Sequence, residues 1–379
     1  MEAGSPFPWT DWLLDAAWAL VLAYGLISLA VAAAVARPRV LNPRDPPADW
    51  PPVAVLVAAR NEARHLPACL ASLLALDYPP DRLTVLVGDD ASTDGTADVA
   101  ASFRDPRVRV QTIGESWPGL RGKQNVLAQL AHQTDAPILL FADADVVVPP
   151  GWAKAHVMAL QPPHVGLSVG TTLVIDQGLW SGVQALDWLV GAATLAAFDR
   201  WHHPLTAVGN NLGLTRAAYA ATGGYEAIPF SVTEDFALFQ AVRAQGYRTA
   251  FLWGRAACSG TWAIGPVGDL LAQRLRWLLG GLRGPWYAVA AYSVYQVAPW
   301  VALGVAVGGG GWAFAAWVVG ADAVLVGVAA RAVGRWGLLR WLPVAVPKRL
   351  LLQALVGLRL LRGGGVRWKG RLYTAKGSA

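Results

Sequence analysis

Apolar positions along this chain follow two different rules. Between residues 53 and 142, short runs rich in Val, Ile and Leu alternate with helical stretches. Val53–Ala58, Leu83–Gly88, Arg107–Ile113 and Pro137–Ala142 read as buried strands, with Glu62–Ala75, Gly95–Phe103 and Gly122–His132 as the helices between them. This alternation predicts an α/β fold, a parallel sheet covered by helices. In such sheets ligands bind beyond the carboxyl ends of the strands, where the strand order switches. Gly178–Phe198 and Phe236–Gln245 add further helical patterns.

The second rule governs the ends of the chain, where uncharged stretches reach the roughly 20 residues that span a bilayer. Ala16–Ala36 carries no charge, and neither does Gly284–Ala321, whose glycine run 308–311 divides it into a hairpin of Trp286–Val307 and Trp312–Ala330. The last apolar stretch, Leu338–Leu361, is interrupted by Pro343, Pro347, Lys348, Arg349 and Arg359. It suits a basic amphipathic segment lying in the interface, with a fourth span as the alternative. The expected organisation is an N-terminal anchor over 1–37, a catalytic domain over 38–283 that includes an interfacial helix, a transmembrane hairpin over 284–334, and a basic interfacial segment and tail over 335–379. Asn42–Pro52, rich in Pro and Asp, reads as the linker out of the anchor.

Composition agrees with membrane residence. The 379 residues are 55% hydrophobic and only 15% charged, with 19 Trp, unlike an ordinary soluble domain. A secretory signal peptide would open with a basic region, whereas Glu2, Asp11 and Asp15 lead here, so a retained anchor is expected. Arg37 and Arg39, then Arg274, Arg276 and Arg283, then Arg331, Arg335 and Arg340 all fall on one side if the N-terminus is outside. The positive-inside rule then predicts an integral inner-membrane protein with its catalytic domain cytoplasmic. The net charge of +6 fits anionic lipid headgroups, and no nucleic-acid partner is expected. Cys69 and Cys258 have no metal-ligand spacing, and a structural disulfide is not expected. His202-His203 reads either as an acceptor-site pair or as a solvated loop. Asp322, inside the hairpin, reads either as a functional acid or as a structural partner of an Arg such as Arg331.

The candidate chemistry clusters at strand ends. Asp143-Ala144-Asp145 follows the buried run Ala136–Ala142; if the strand continues, both carboxylates point the same way and could hold a hard divalent cation, Mg²⁺ or Mn²⁺. The first strand ends in Arg60-Asn61-Glu62. The second ends in Asp89-Asp90, followed by Ser92, Thr93 and Asp94 as helix caps. Two adjacent acids repel unless something cationic or hydrogen-bonding uses them. Gly122-Lys123 opens a helix whose N-terminus suits a diphosphate, though the Walker spacing is absent. Thr233-Glu234-Asp235 starts another helix, and Gln273-Arg274-Leu275-Arg276-Trp277 lies in an amphipathic stretch before the hairpin.

In this order the motifs resemble those of family 2 glycosyltransferases, in particular the membrane-anchored lipid-modifying subgroup of ceramide glucosyltransferase and bacterial carotenoid glucosyltransferases. The tail Trp368-Lys369-Gly370-Arg371-Leu372-Tyr373 is similar to the ending of that subgroup. The resemblance covers about Val53 to Tyr373 and implies a GT-A, Rossmann-like nucleotide-sugar domain. It implies that Asp90 binds uridine, aided by Glu62 and Lys123, with Arg60 beside them; that Asp143 contacts the ribose; and that Asp145 holds the metal. Asp235 would be the catalytic base, with Glu234 next to it. Gln273, Arg276 and Trp277 would close over diphosphate and acceptor. Trp368 and Arg371 would fold back over the site, the alternative for this tail being a plain interfacial anchor. The implied reaction is inverting transfer of a hexose, glucose foremost, from a UDP-sugar to a lipid hydroxyl. A polyprenyl-phosphate acceptor, a processive polysaccharide synthase and an inactive scaffold are the competing expectations.

Overall fold

The computed structural model describes residues 9–38, 47, 49–231, 233–282, 284–309, 311–362, 366–368, 371–374 and 377–378. Arg39, most of the linker, Val232, Arg283, Lys369 and Gly370 lie outside them, as do the side chains of Trp368 and Arg371. The chain enters through α1 (Trp9–Val35), then runs β1 (Val53–Ala59), α2 (Leu66–Leu74), β2 (Leu83–Asp89), α3 (Thr96–Ser102), β3 (Val108–Thr112), α4 (Gly122–Ala131) and β4 (Ile138–Asp143). Next come β5 (Val146–Val147), α5 (Trp152–Leu160), β6 (Val165–Val169), β7 (Thr171–Val174) and the long α6 (Leu179–Arg200). The domain is completed by β8 (Asn211–Thr215), α7 (Arg216–Ala221), α8 (Gly224–Ala227), α9 (Glu234–Ala244), β9 (Arg248–Phe251) and β10 (Cys258–Thr261). The C-terminal part holds α10 (Val267–Gly281), α11 (Trp286–Val307), α12 (Ala313–Val333) and α13 (Leu342–Leu361), then β11 (Val366–Trp368), β12 (Arg371–Thr374) and β13 (Gly377–Ser378).

The main sheet has the order β3-β2-β1-β4-β8-β6-β9, and β8 runs antiparallel to both of its neighbours. The strands of the first half pair in parallel, as the repeated β–α alternation requires. β1 alternates its side chains between two cores. Ala54 and Leu56 join α4 on one face, while Val53, Val55 and Val57 join α2 on the other. Registers Ala59↔Asp89 and Ala58↔Asp143 bring the carboxyl ends of β1, β2 and β4 level. Because β2 and β4 flank β1 on opposite sides, the strand order switches there and opens a crevice. A small sheet, β5-β10-β7, sits beside it.

Among the described residues, three helices are long and apolar enough to cross a membrane: Trp12–Val35, Trp286–Val307 and Ala313–Val333. They pack on one another, and α6 packs against α1 and α12 from the side of the catalytic domain. The Trp253 indole donates to the Val35 carbonyl at 3.0 Å and so ties the end of α1 to that domain. α13 is not among the three candidate spans; it packs along α6, α11 and α10. The partner of Asp322 is not Arg331. The chain brings Arg349 of α13 to Asp322 at 2.8 Å, and Asp322 also accepts the Tyr24 hydroxyl. Sequence proximity favoured Arg331 as the partner, but α13, packed along α6 and α11, carries Arg349 to the acid.

Candidate active site

The loop after β1 and the loop after β2 are knitted together. Asn61 takes a positive φ of 53°, and its Oδ1 accepts the Thr93 amide at 2.9 Å. The Asn61 amide donates to Ser92 Oγ at 3.0 Å, the Glu62 amide to Thr96 Oγ1 at 2.8 Å and the Ala63 amide to Asp94 Oδ2 at 3.0 Å. The hydroxyls and acid expected to cap α3 therefore serve largely the opposite loop, and Gly95 occupies the N-cap. These bonds tie residues 61–63 to the loop after β2, and α2 begins at Leu66 rather than at Glu62. Arg60 answers the repulsion of the paired acids: its Nη1 meets Asp90 Oδ2 at 3.3 Å and the Asp90 carbonyl at 2.8 Å. Asp89 is buried and accepts the Ser92 amide at 3.3 Å. Glu62 receives His65 at 3.0 Å, and His65 in turn stacks on Trp262.

The centre of the site is Lys123, at the first turn of α4. Its ammonium reaches Asp143 Oδ1 at 2.6 Å and Glu234 Oε1 at 2.9 Å. Burial alone would lower its pKa, but the carboxylates of Asp143, Glu234 and Asp235 more than reverse this and hold it well above the usual lysine value. Beside it, Asp235 accepts the Gly209 amide at 2.8 Å and the Phe236 amide at 2.8 Å. A Cβ on Gly209 would stand 2.9 Å from Asp235 Cβ, so only glycine lets the backbone approach this closely. Burial pushes the Asp235 carboxyl up to about 6, with Glu234 adding to the rise and Lys123 opposing it. A partly buried acid with that affinity for protons is suited to accepting one near neutrality.

The strand does not continue through Asp143-Ala144-Asp145. β4 ends at Asp143, Ala144 turns inward and is buried, and the two carboxylates take different partners. Asp143 faces Lys123, and Asp145 Oδ2 accepts the Thr261 hydroxyl at 3.3 Å. No group of three or more His, Cys, Asp or Glu side chains converges on a metal-sized site among the described residues. A single carboxylate with a neighbouring hydroxyl fits Mg²⁺ or Mn²⁺, hard ions that use few protein ligands and complete their shell with phosphate oxygens and water.

The motif helix α10 packs against α13. Gln273 is buried, and Trp277 is edge-on to Trp188 of α6 at 5.3 Å. Arg274 lies over the Trp277 ring at 4.8 Å and pairs with Asp187 at 2.9 Å. The backbone of β11, which carries Trp368, runs alongside α10 and pairs with β12, which carries Arg371. His202 and His203 are exposed at the end of α6, where His203 meets the Tyr287 ring. Cys69 and Cys258 are buried and free. Sequence reasoning missed Gly209, Thr261, Trp262 and Asp187, none of which carries a local signal. They matter only through what folding sets beside them.

The profile of the glycosyltransferase-like family 2 matches residues 51–280. The chain is 28% identical over 242 residues to a beta-monoglucosyldiacylglycerol synthase of Synechocystis, covering 61% of this chain and 48% of that protein. It is 26% identical over 203 residues to a 4,4'-diaponeurosporenoate glycosyltransferase of Staphylococcus haemolyticus, covering 50% and 51%. The chain thus spans about half the length of these curated relatives. Among solved structures, a mannosyltransferase from Pyrobaculum calidifontis in complex with GDP-Man and Mn²⁺ superposes with a TM-score of 0.55 at 20% identity, over 91% of this chain and 96% of that one. At that identity the likeness establishes the fold. Profile, relatives and fold agree, and the chain is a family 2 glycosyltransferase with a GT-A domain.

Proposed function

We propose that this enzyme transfers a hexose, glucose foremost, from a UDP-sugar to the hydroxyl of a membrane lipid, with inversion at the anomeric carbon. The observation that carries this reading is Asp235, held by two backbone amides beside the Lys123 cluster, with a carboxyl raised to about 6. The acceptor oxygen attacks the anomeric carbon and its proton passes to Asp235. The bond from that carbon to the diphosphate oxygen breaks, and UDP leaves with the electron pair. Arg60 and Asp90 would hold the uridine side and Asp143 the ribose. Arg276 and Trp277 would close over the diphosphate. A divalent cation at Asp145 would neutralise charge growing on the leaving diphosphate. A phosphate acceptor is already anionic and needs no base, so the tuned carboxyl favours a hydroxyl. The relatives named for glucosyl transfer to diacylglycerol and for carotenoid glycosylation support a lipid acceptor. Arg37 after α1 and Arg331 and Arg335 at the end of α12 favour a cytoplasmic domain at the inner membrane. Incubating purified protein with a panel of nucleotide sugars and host lipid extract, followed by mass analysis of the lipids, tests the reading. The absence of any hexosylated lipid would refute it.

Two expectations follow from the charges. As Asp235 must be ionised to accept a proton, kcat/KM should rise with pH through about 6. Lys123 holds that carboxyl down, so Lys123→Met should move the acid limb to higher pH; an unmoved limb would dissociate Asp235 from it. For the stability of the metal-free protein the sign is opposite. An acid raised in the folded state stabilises it below the unfolded pKa, and that contribution fades as pH climbs through about 6. At the other carboxylate, Asp145→Asn should weaken the apparent affinity for Mn²⁺ or Mg²⁺ by roughly 10²-fold in a metal titration of transfer. Unchanged metal dependence would remove Asp145 as the ligand.

A further inference from the structure

One face of α6 grips the segment that carries Gln273-Arg274-Leu275-Arg276-Trp277 at both of its ends. Trp180, Gln184, Asp187 and Trp188 are spaced i, i+4, i+7 and i+8, so they share one stripe of that helix. At the first end, the stripe holds the loop between β10 and α10 by its backbone. Buried Gln184 donates to the Ile264 carbonyl at 3.1 Å and accepts the Ile264 amide at 3.1 Å. The Trp180 indole donates to the same carbonyl at 2.7 Å. This loop follows directly on Thr261, the partner of Asp145. At the second end, Asp187 meets Arg274 at 2.9 Å, Arg274 lies over the Trp277 ring at 4.8 Å, and Trp188 meets that ring edge-on at 5.3 Å. Asp187 also receives the Lys348 ammonium of α13, which donates on to the Val183 carbonyl at 3.1 Å. One carboxylate thus separates two cations, and all three side chains are mostly shielded from water. Without its charge, Arg274 and Lys348 would face each other as like charges in a poorly screened place.

Resting on the reading that Arg276 and Trp277 close over the diphosphate, we infer that Gln184 and Asp187 are positioning residues for sugar transfer. Gln184 fixes where the chain leaves β10, and Asp187 fixes how α10 presents Arg276 and Trp277. Both act through α10. The reference they act from is firm, because α6 packs on β7 and β9 of the catalytic domain and on α1 and α12. Trp277 stays 37% exposed, so its ring is held by Arg274 and Trp188 while part of it is left open. The competing account is that Ala272 and Leu275, packed on Val356 of α13, place α10 unaided. In that case the charge on Asp187 would not matter.

The full-length protein in nanodiscs is assayed with UDP-glucose and host lipid extract. Amide exchange over 267–281 is followed by mass spectrometry without acceptor. Asp187→Asn keeps the size of the side chain and removes its charge, whereas Asp187→Glu keeps the charge and changes the size. Asp187→Asn should lower kcat roughly 10²-fold, the scale of a misplacement of about 1 Å, with UDP-glucose affinity by calorimetry unchanged. Exchange over 267–281 should quicken in this variant while β1 and β4 stay protected. Asp187→Glu should recover most of the loss; a packing role predicts the reverse order of the two variants. Gln184→Met removes both Ile264 bonds without altering a charge and should act in the same direction, which keeps the test open if Asp187→Asn does not fold. Parental kcat and exchange in Asp187→Asn would overturn the assignment. So would equal losses of donor affinity and turnover, slowed turnover with unchanged exchange, or failure of both variants to fold. If wild type hexosylates no lipid while exchange quickens in Asp187→Asn and not in Asp187→Glu, the clamp stands and the lipid reaction falls. Undiminished lipid transfer in Asp187→Asn would sink the clamp and leave the reaction.

Discussion

Asp235→Asn is expected to lower kcat about 10³-fold, within the range that a positioned general base contributes, while the donor binds almost as before. The substitution keeps the size and shape of the side chain. Its single amide oxygen can still accept the Gly209 amide, with the bond from the Phe236 amide given up, so the loop that approaches within 2.8 Å stays held. What is lost is the capacity to take a proton from the acceptor hydroxyl. Lys123 stays paired with Asp143 and Glu234, which preserves the donor side. Calorimetric titration with UDP-sugar, set beside single-turnover transfer, separates the two effects. Equal losses of binding and turnover would show that Asp235 shapes the donor pocket instead of removing a proton.

The largest expected loss of stability comes from Asn211→Ala, at about 4 kcal/mol. Asn211 is fully buried at the start of β8. Its Oδ1 accepts the Trp152 indole at 2.8 Å and His156 Nε2 at 2.9 Å. Its Nδ2 donates to the Thr171 carbonyl at 2.8 Å, the Ala257 carbonyl at 3.1 Å and Ser259 Oγ at 3.0 Å. Burial pushes His156 down to about 4, so the ring is neutral; with Nε2 donating to Asn211, its Nδ1 accepts the Ser168 hydroxyl at 2.8 Å. One side chain thus joins α5, the main sheet and the small sheet. Alanine would orphan donors and acceptors together in a place water does not reach. The same loop carries Gly209, so activity should fall with stability. Thermal unfolding in detergent should show a much lower Tm, and a Tm within a degree or two of the parent would mean that the network does not brace the domain.

Much of the fold was legible because its signals are local. Val53–Ala59 and Ile138–Asp143 are continuous apolar runs, and a strand buried on both faces reads that way in any chain. The boundaries of Trp286–Val307 needed only length and the absence of charge. The bonds of Thr96 and Asp94 to the loop after β1 were not legible, since they reach across from the next loop. In the site, the residue types and their order were readable, whereas the pairings were not. Lys123 was readable as a cation at a helix start, but not that it would bridge two acids brought from distant segments. Asp143 and Asp145 were readable as a pair, but not that Lys123 would meet the first and Thr261 the second.

The sequence by itself determined the alternation of strands and helices, the three apolar helices and the set of acids at strand ends. Each follows from side-chain chemistry at fixed spacing along one segment. Only the tertiary structure decided that Gly209 would tune Asp235, that Asn211 would bind two sheets, and that Arg349 would answer Asp322. Those outcomes depend on which atoms meet when distant segments close on one another, and spacing along the chain carries no record of that.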